Sequence, residues 1–199
     1  MLCRNDSRED GSLDGRQPVN DRMRPTVNGK GSYEVIVPKF QKLVAGRGTK
    51  DYYVRGTFTR DNLDFSQDVL HMGDLGFRHV SVEPASGPLD DPFAIKEEDL
   101  EKVEAEYEKL AGQLMERPDI NFFHFNVDLA QGPCVIKRLR GCGAGCEYVA
   151  ITPDGDIYPC HQFVGKEEYR MGNVFDGSFD MDISGTFAQQ NIYTRPACR

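Results

Sequence analysis

Residues 141–163, GCGAGCEYVAITPDGDIYPCHQF, constrain this chain more than any other stretch. They hold Cys142, Cys146 and Cys160, with Cys134 a short way upstream. Residues 147–152 have the β-branched and aromatic content of a strand, and Pro153-Asp154-Gly155-Asp156 is a strong turn signal. Residues 157–159 then read as the return strand, carrying Cys160 back toward Cys142 and Cys146. Thiolates gathered in this way serve a soft metal, an iron–sulfur cluster or a disulfide. The start, MLCRNDSRED, lacks the apolar run of a secretory signal, so a reducing cytoplasmic setting is expected and a disulfide framework fits poorly. Zinc remains open. Cys142-x3-Cys146 followed by Cys160-His161 could supply four ligands to a non-catalytic structural module.

At 199 residues the chain supports one sizeable domain, or one domain and a small appendage. Its formal charge of −8 opposes binding to nucleic acid or to an anionic membrane, both of which demand a basic face. No apolar run approaches the length needed to span a bilayer.

Residues 1–31 are polar and read as loop or a poorly ordered start. A helix is expected from Ser32 to Gly46, with Val35, Ile36, Phe40, Leu43 and Val44 on one face, weakened or kinked by Pro38. Residues 52–59 read as a strand, 63–75 as a helix stopped by Gly76, and 77–83 as a buried strand. Residues 96–115 form the most regular helical pattern, through Leu100, Val103, Tyr107, Leu110 and Leu114. This alternation predicts a parallel α/β sheet, whose ligand side lies at the strand C-termini. Arg55, Thr57, Ser81 and Glu83 sit at or near those ends. An Arg and a Glu in apolar strands either face a cavity or pair with one another. Beyond Asp128 the composition turns to Gly, Pro and Cys, which places a boundary near residues 126–132 and divides the chain into 32–128 and 129–199.

The spacing Cys142-x12-Gly155-x4-Cys160 resembles the opening of the SPASM extension of radical S-adenosylmethionine enzymes. EYVAITPDGDIYPCHQFVG, with MGNVFDG after it, is similar to maturases of ribosomal peptides, above all the thioether-forming maturases of cysteine-rich SCIFF peptides. SLDGRQPVNDRMRP resembles the segment after a middle strand of the radical SAM barrel, and YYVRGTFTRDN and HVSVEP resemble the two strands that follow. The resemblance implies the C-terminal part of a partial (β/α)6 barrel followed by a truncated SPASM-type β-hairpin extension.

It also implies an auxiliary 4Fe–4S cluster held by Cys142 and Cys160, with Cys134 or Cys146 as a third ligand. Ser12 resembles a residue that contacts the cofactor ribose, and Arg55 and Glu83 are further cofactor-pocket candidates by position. The implied partners are a cysteine-rich precursor peptide and an electron donor such as ferredoxin or flavodoxin. The family's C-x3-C-x2-C triad has no counterpart here, because Val149 stands where its third cysteine would. The chain is therefore expected to be a piece of a longer maturase, inactive and aggregation-prone by itself.

Overall fold

In the computed structural model the residues described are 9–48, 50–85, 90–126, 139, 141–191, 193 and 194. The chain divides into two compact units, Met1–Val127 and Asp128–Arg199.

The described part of the first unit is built on four parallel strands: β1 (Glu9–Ser12), β2 (Tyr52–Phe58), β3 (His79–Pro84) and β4 (Asn121–Phe122). They lie side by side in sequence order. Helices α1 (Gln17–Met23) and α2 (Tyr33–Arg47) connect β1 to β2. Helix α3 (Ser66–Asp74) connects β2 to β3, and α4 (Leu100–Met115) connects β3 to β4. Along β2 the pleat sends Tyr52, Val54 and Phe58 into the core and leaves Arg55 exposed between them. Val54 pairs in register with Val80, and Gly56 with Val82, so one face of the sheet is apolar. The Phe58 and Phe65 rings stack on that face with centroids 4.1 Å apart, and Tyr107 meets Phe65 edge-on at 4.7 Å. Gly56 is required by a close approach: a Cβ there would sit 2.6 Å from the Leu13 carbonyl oxygen.

Three expectations need correction. The segment read as a polar loop over 1–31 contains β1 and α1, and Leu13, Asp14 and Asn20 within it are buried. Parallel pairing with β2 supplies the backbone hydrogen bonds that its composition does not advertise. On α2, Val35 and Leu43 are exposed, whereas Val37 is buried and Ile36, Phe40 and Val44 pack on the core. Pro38 is accommodated inside that helix. On α4, Leu100 is exposed and Leu110 is the buried anchor.

The second unit carries a four-stranded antiparallel meander: β5 (Ala150–Ile151), β6 (Asp156–Tyr158), β7 (Gly172–Asn173) and β8 (Ser178–Phe179). Helix α5 (Met181–Ala188) follows, its N-terminus capped by the Asp180 carboxylate on the Asp182 and Ile183 amides. The β5–β6 turn passes through Gly155 at φ +83°, where a side chain would strike the Phe175 ring. Ile157, Tyr158, Cys160 and Met171 form the buried centre, with Phe163, Tyr169 and Phe187 in mutual ring contact. The hairpin strands are shorter than the composition suggests, and β7, β8 and α5 had no recognised signal.

Candidate functional site

The face of the parallel sheet opposite the apolar core is polar near its strand C-termini. Ser12 is the register partner of Arg55, and Arg55 is the partner of Ser81. Partners on adjacent strands share a face, so Ser12, Arg55 and Ser81 form one row, and Glu83 stands two residues further along β3 on the same side. The fold thus brings together Ser12, Arg55 and Glu83. Arg55 Nη2 donates to Glu83 Oε1 at 2.7 Å, and Ser81 Oγ donates to the same oxygen at 3.0 Å. Burial pushes the Glu83 carboxyl up, but these two hydrogen bonds and the Arg55 charge outweigh it and hold the group below its ordinary value.

Two side chains that the strand-end argument missed complete this edge. The ring of His124, in the turn after β4, meets the Tyr107 hydroxyl through Nδ1 at 3.0 Å. Burial lowers the His124 pKa while the Glu83 charge raises it, with a net lowering. Burial and the Glu83 charge both raise the Tyr107 phenol. Neither residue carries a local sequence motif, since β3, α4 and β4 meet only in the fold.

The loop after β1 is held rigidly beside this face. Asp14, 2% exposed, accepts from Arg24 Nε at 2.7 Å, from Arg24 Nη2 at 3.0 Å and from the Thr57 amide at 3.0 Å. A cavity of about 300 Å³ opens between Asp14, Arg24, Thr57, Thr59 and Phe93 at the strand ends. A guanidinium beside a carboxylate, with a row of hydroxyls and an adjacent cavity, suits the carboxylate and ammonium of an amino-acid group.

In the second unit, Cys142 and Cys146 are exposed and Cys160 is buried. The Tyr148 hydroxyl donates to Cys142 Sγ at 4.0 Å. Burial, that hydrogen bond and the charges of Cys142 and Cys160 all push the Tyr148 phenol up. Cys146 is turned elsewhere: its Sγ donates to the Ser184 carbonyl at 3.3 Å and accepts from Ser184 Oγ at 3.9 Å. Among the described residues no three His, Cys, Asp or Glu side chains converge on one metal position. The zinc set of Cys142, Cys146, Cys160 and His161 is thus not assembled. Cys142 and Cys160 both act on the Tyr148 phenol, and Cys134 lies outside the described residues.

A four-stranded parallel α/β sheet with polar strand ends, followed by a cysteine-bearing hairpin module, is similar to proteins of the radical S-adenosylmethionine class. Residues 142–199 match SPASM, an iron–sulfur cluster-binding domain. The chain is 29% identical to the mycofactocin maturase MftC of Mycolicibacterium smegmatis, over 84% of this chain and 42% of that protein. It is 22% identical to a cysteine-type anaerobic sulfatase-maturating enzyme of Clostridium novyi, over 94% of this chain and 53% of that one. Its fold matches native anSMEcpe with bound AdoMet and Kp18Cys peptide, with a TM-score of 0.65 at 13% identity, over 89% of this chain and 52% of that one. The chain is a relative of the SPASM-bearing radical S-adenosylmethionine maturases, and it spans about half the length of the curated relatives it matches. No helix among the described residues is long and apolar enough to cross a membrane.

Proposed function

We propose that this chain is the cofactor-facing and cluster-binding part of a maturase that forms thioether crosslinks in a cysteine-rich ribosomal peptide. The observation that carries the reading is the single polar row of Ser12, Arg55 and Ser81 with Glu83 beside it. In this reading Arg55 receives the cofactor carboxylate, Glu83 its ammonium and Ser12 a ribose hydroxyl. When bound, the cofactor supplies the one-electron chemistry that removes a hydrogen atom from the peptide. The chain's own residues orient the cofactor at the strand ends. Cys142 and Cys160 hold an auxiliary 4Fe–4S cluster, with Cys134 or Cys146 as a third ligand. The likeness of residues 147–165 to SCIFF maturases supports the thioether outcome, and a ferredoxin or flavodoxin supplies electrons to the complete enzyme.

Anaerobic reconstitution with iron and sulfide tests the cluster. Both are expected to fall together in Cys142→Ala and Cys160→Ala, and comparing Cys134→Ala with Cys146→Ala identifies the third ligand. Full iron in the first two variants, or zinc without sulfide in the purified chain, refutes the cluster reading. The chain without a C-x3-C-x2-C triad is also expected to make no 5′-deoxyadenosine under strong reductant.

A further inference from the structure

The loop that follows β1 is tied to the start of α3 through one buried carboxylate. Asp68, fully buried at the start of α3, accepts from the Arg16 amide at 2.9 Å and from Arg16 Nε at 2.8 Å. Its other oxygen accepts from Arg16 Nη2 at 3.3 Å and from Asn62 Nδ2 at 3.2 Å. Asn62 in turn accepts the Thr59 amide at 2.8 Å, at the end of β2. The remaining Arg16 donors go to both oxygens of Asp64 and to Gln67 Oε1, so the whole guanidinium fork is used. Gly15, at φ +116°, lies so close that a Cβ would come within 2.3 Å of Asp68 Cβ.

The two segments this carboxylate joins are the loops that leave β1 and β2, which frame Ser12 and Arg55. A buried ion pair is a poor source of net stability, because desolvating the charges cancels much of their attraction. It does fix one geometry, since a planar fork satisfied at every donor leaves no alternative arrangement. We infer that Arg16 and Asp68 are positioning residues: they set the height and direction of the Ser12–Arg16 loop against the end of β2, and through it the Ser12 hydroxyl. This rests on the reading of Ser12 as a cofactor contact. It adds that the contact depends on a clamp lying outside the pocket.

The test uses the full chain. Equilibrium dialysis against S-adenosylmethionine, amide exchange over residues 11–17 and Tm are measured for wild type, Ser12→Ala, Arg16→Ala, Asp68→Asn and Arg117→Ala. Arg117 bridges Asp74 and Asp119, away from these loops, and controls for the simple loss of an ion pair. Arg16→Ala and Asp68→Asn are expected to bind about tenfold more weakly and to exchange faster at 12–16. Arg117→Ala is expected to bind like wild type whatever its Tm. Affinity falling in step with Tm in all three variants makes the clamp an ordinary stabilising contact and overturns the inference. Weak binding by Ser12→Ala with normal binding by Arg16→Ala overturns the positioning role and leaves the cofactor reading standing. A wild-type chain that protects its 12–16 amides yet binds no S-adenosylmethionine removes the cofactor reading, and the positioning role with it.

Discussion

Arg55 Nη2 and Glu83 Oε1 lie 2.7 Å apart across neighbouring parallel strands, with both side chains partly open to solvent at 49% and 39% exposure. An ion pair so placed contributes about 0–1 kcal/mol to stability. Glu83→Gln and Arg55→Ala are therefore expected to change the free energy of denaturant unfolding by no more than about 1 kcal/mol. A loss of several times that size makes the pair a structural fastening rather than a binding feature. Because the Glu83 carboxyl sits below its ordinary value in the fold, its small contribution is full above the unfolded carboxylate pKa. It disappears as pH falls through the folded value, and Glu83→Gln abolishes that part of the acid dependence.

His124 also has a lowered pKa, but here burial favours the neutral form. Burial holds its pKa below that of a free imidazole, so between the two values the unfolded chain binds a proton that the folded chain does not. Stability is unaffected above the ordinary imidazole pKa and falls as pH drops below it. Following the His124 ring protons by NMR is expected to show a neutral imidazole at pH 7. Glu83→Gln, which removes the nearby negative charge, is expected to lower the pKa further. A rise in that variant contradicts the assigned contact.

The stacked rings of Phe58 and Phe65 are the centre of the first unit, and both are fully buried. Phe65→Ala is expected to cost about 3–5 kcal/mol of unfolding free energy through lost burial and a residual cavity. Calorimetry of the variant against Phe65→Leu, which retains most of the volume, measures how much of the loss is cavity.

Gly172 holds the second unit together by having no side chain. At φ +144° its missing Cβ would lie 2.1 Å from the Ser178 carbonyl oxygen, on the strand paired with it. Gly172→Ala is expected to cost at least about 1–3 kcal/mol and to loosen β7 and β8. Faster amide exchange at Asn173 and Phe179 would report it, and unchanged protection there would falsify the close approach.

Much was legible without coordinates where a residue's neighbours along the chain decide its structure. The β5–β6 turn was readable at Pro153-Asp154-Gly155-Asp156 because turn geometry is local, and Gly155 takes the positive φ such a turn needs. The β2, α3, β3 and α4 elements were readable because burial imposes its period directly on the sequence, as at Val54, Val69, Val80 and Leu110. The cysteine spacing points to the SPASM domain that residues 142–199 match. Tertiary structure decided the rest. Residues 9–12 become a strand only because β2 is there to pair with them, so their polar composition gives no warning. The row from Ser12 through Arg55 to Ser81 exists by register between strands far apart in sequence. The contact of Cys146 with Ser184 depends on where α5 packs, which no spacing rule contains. Periodicity and turn chemistry are written residue by residue, whereas register and side-chain direction appear only once distant segments share a surface.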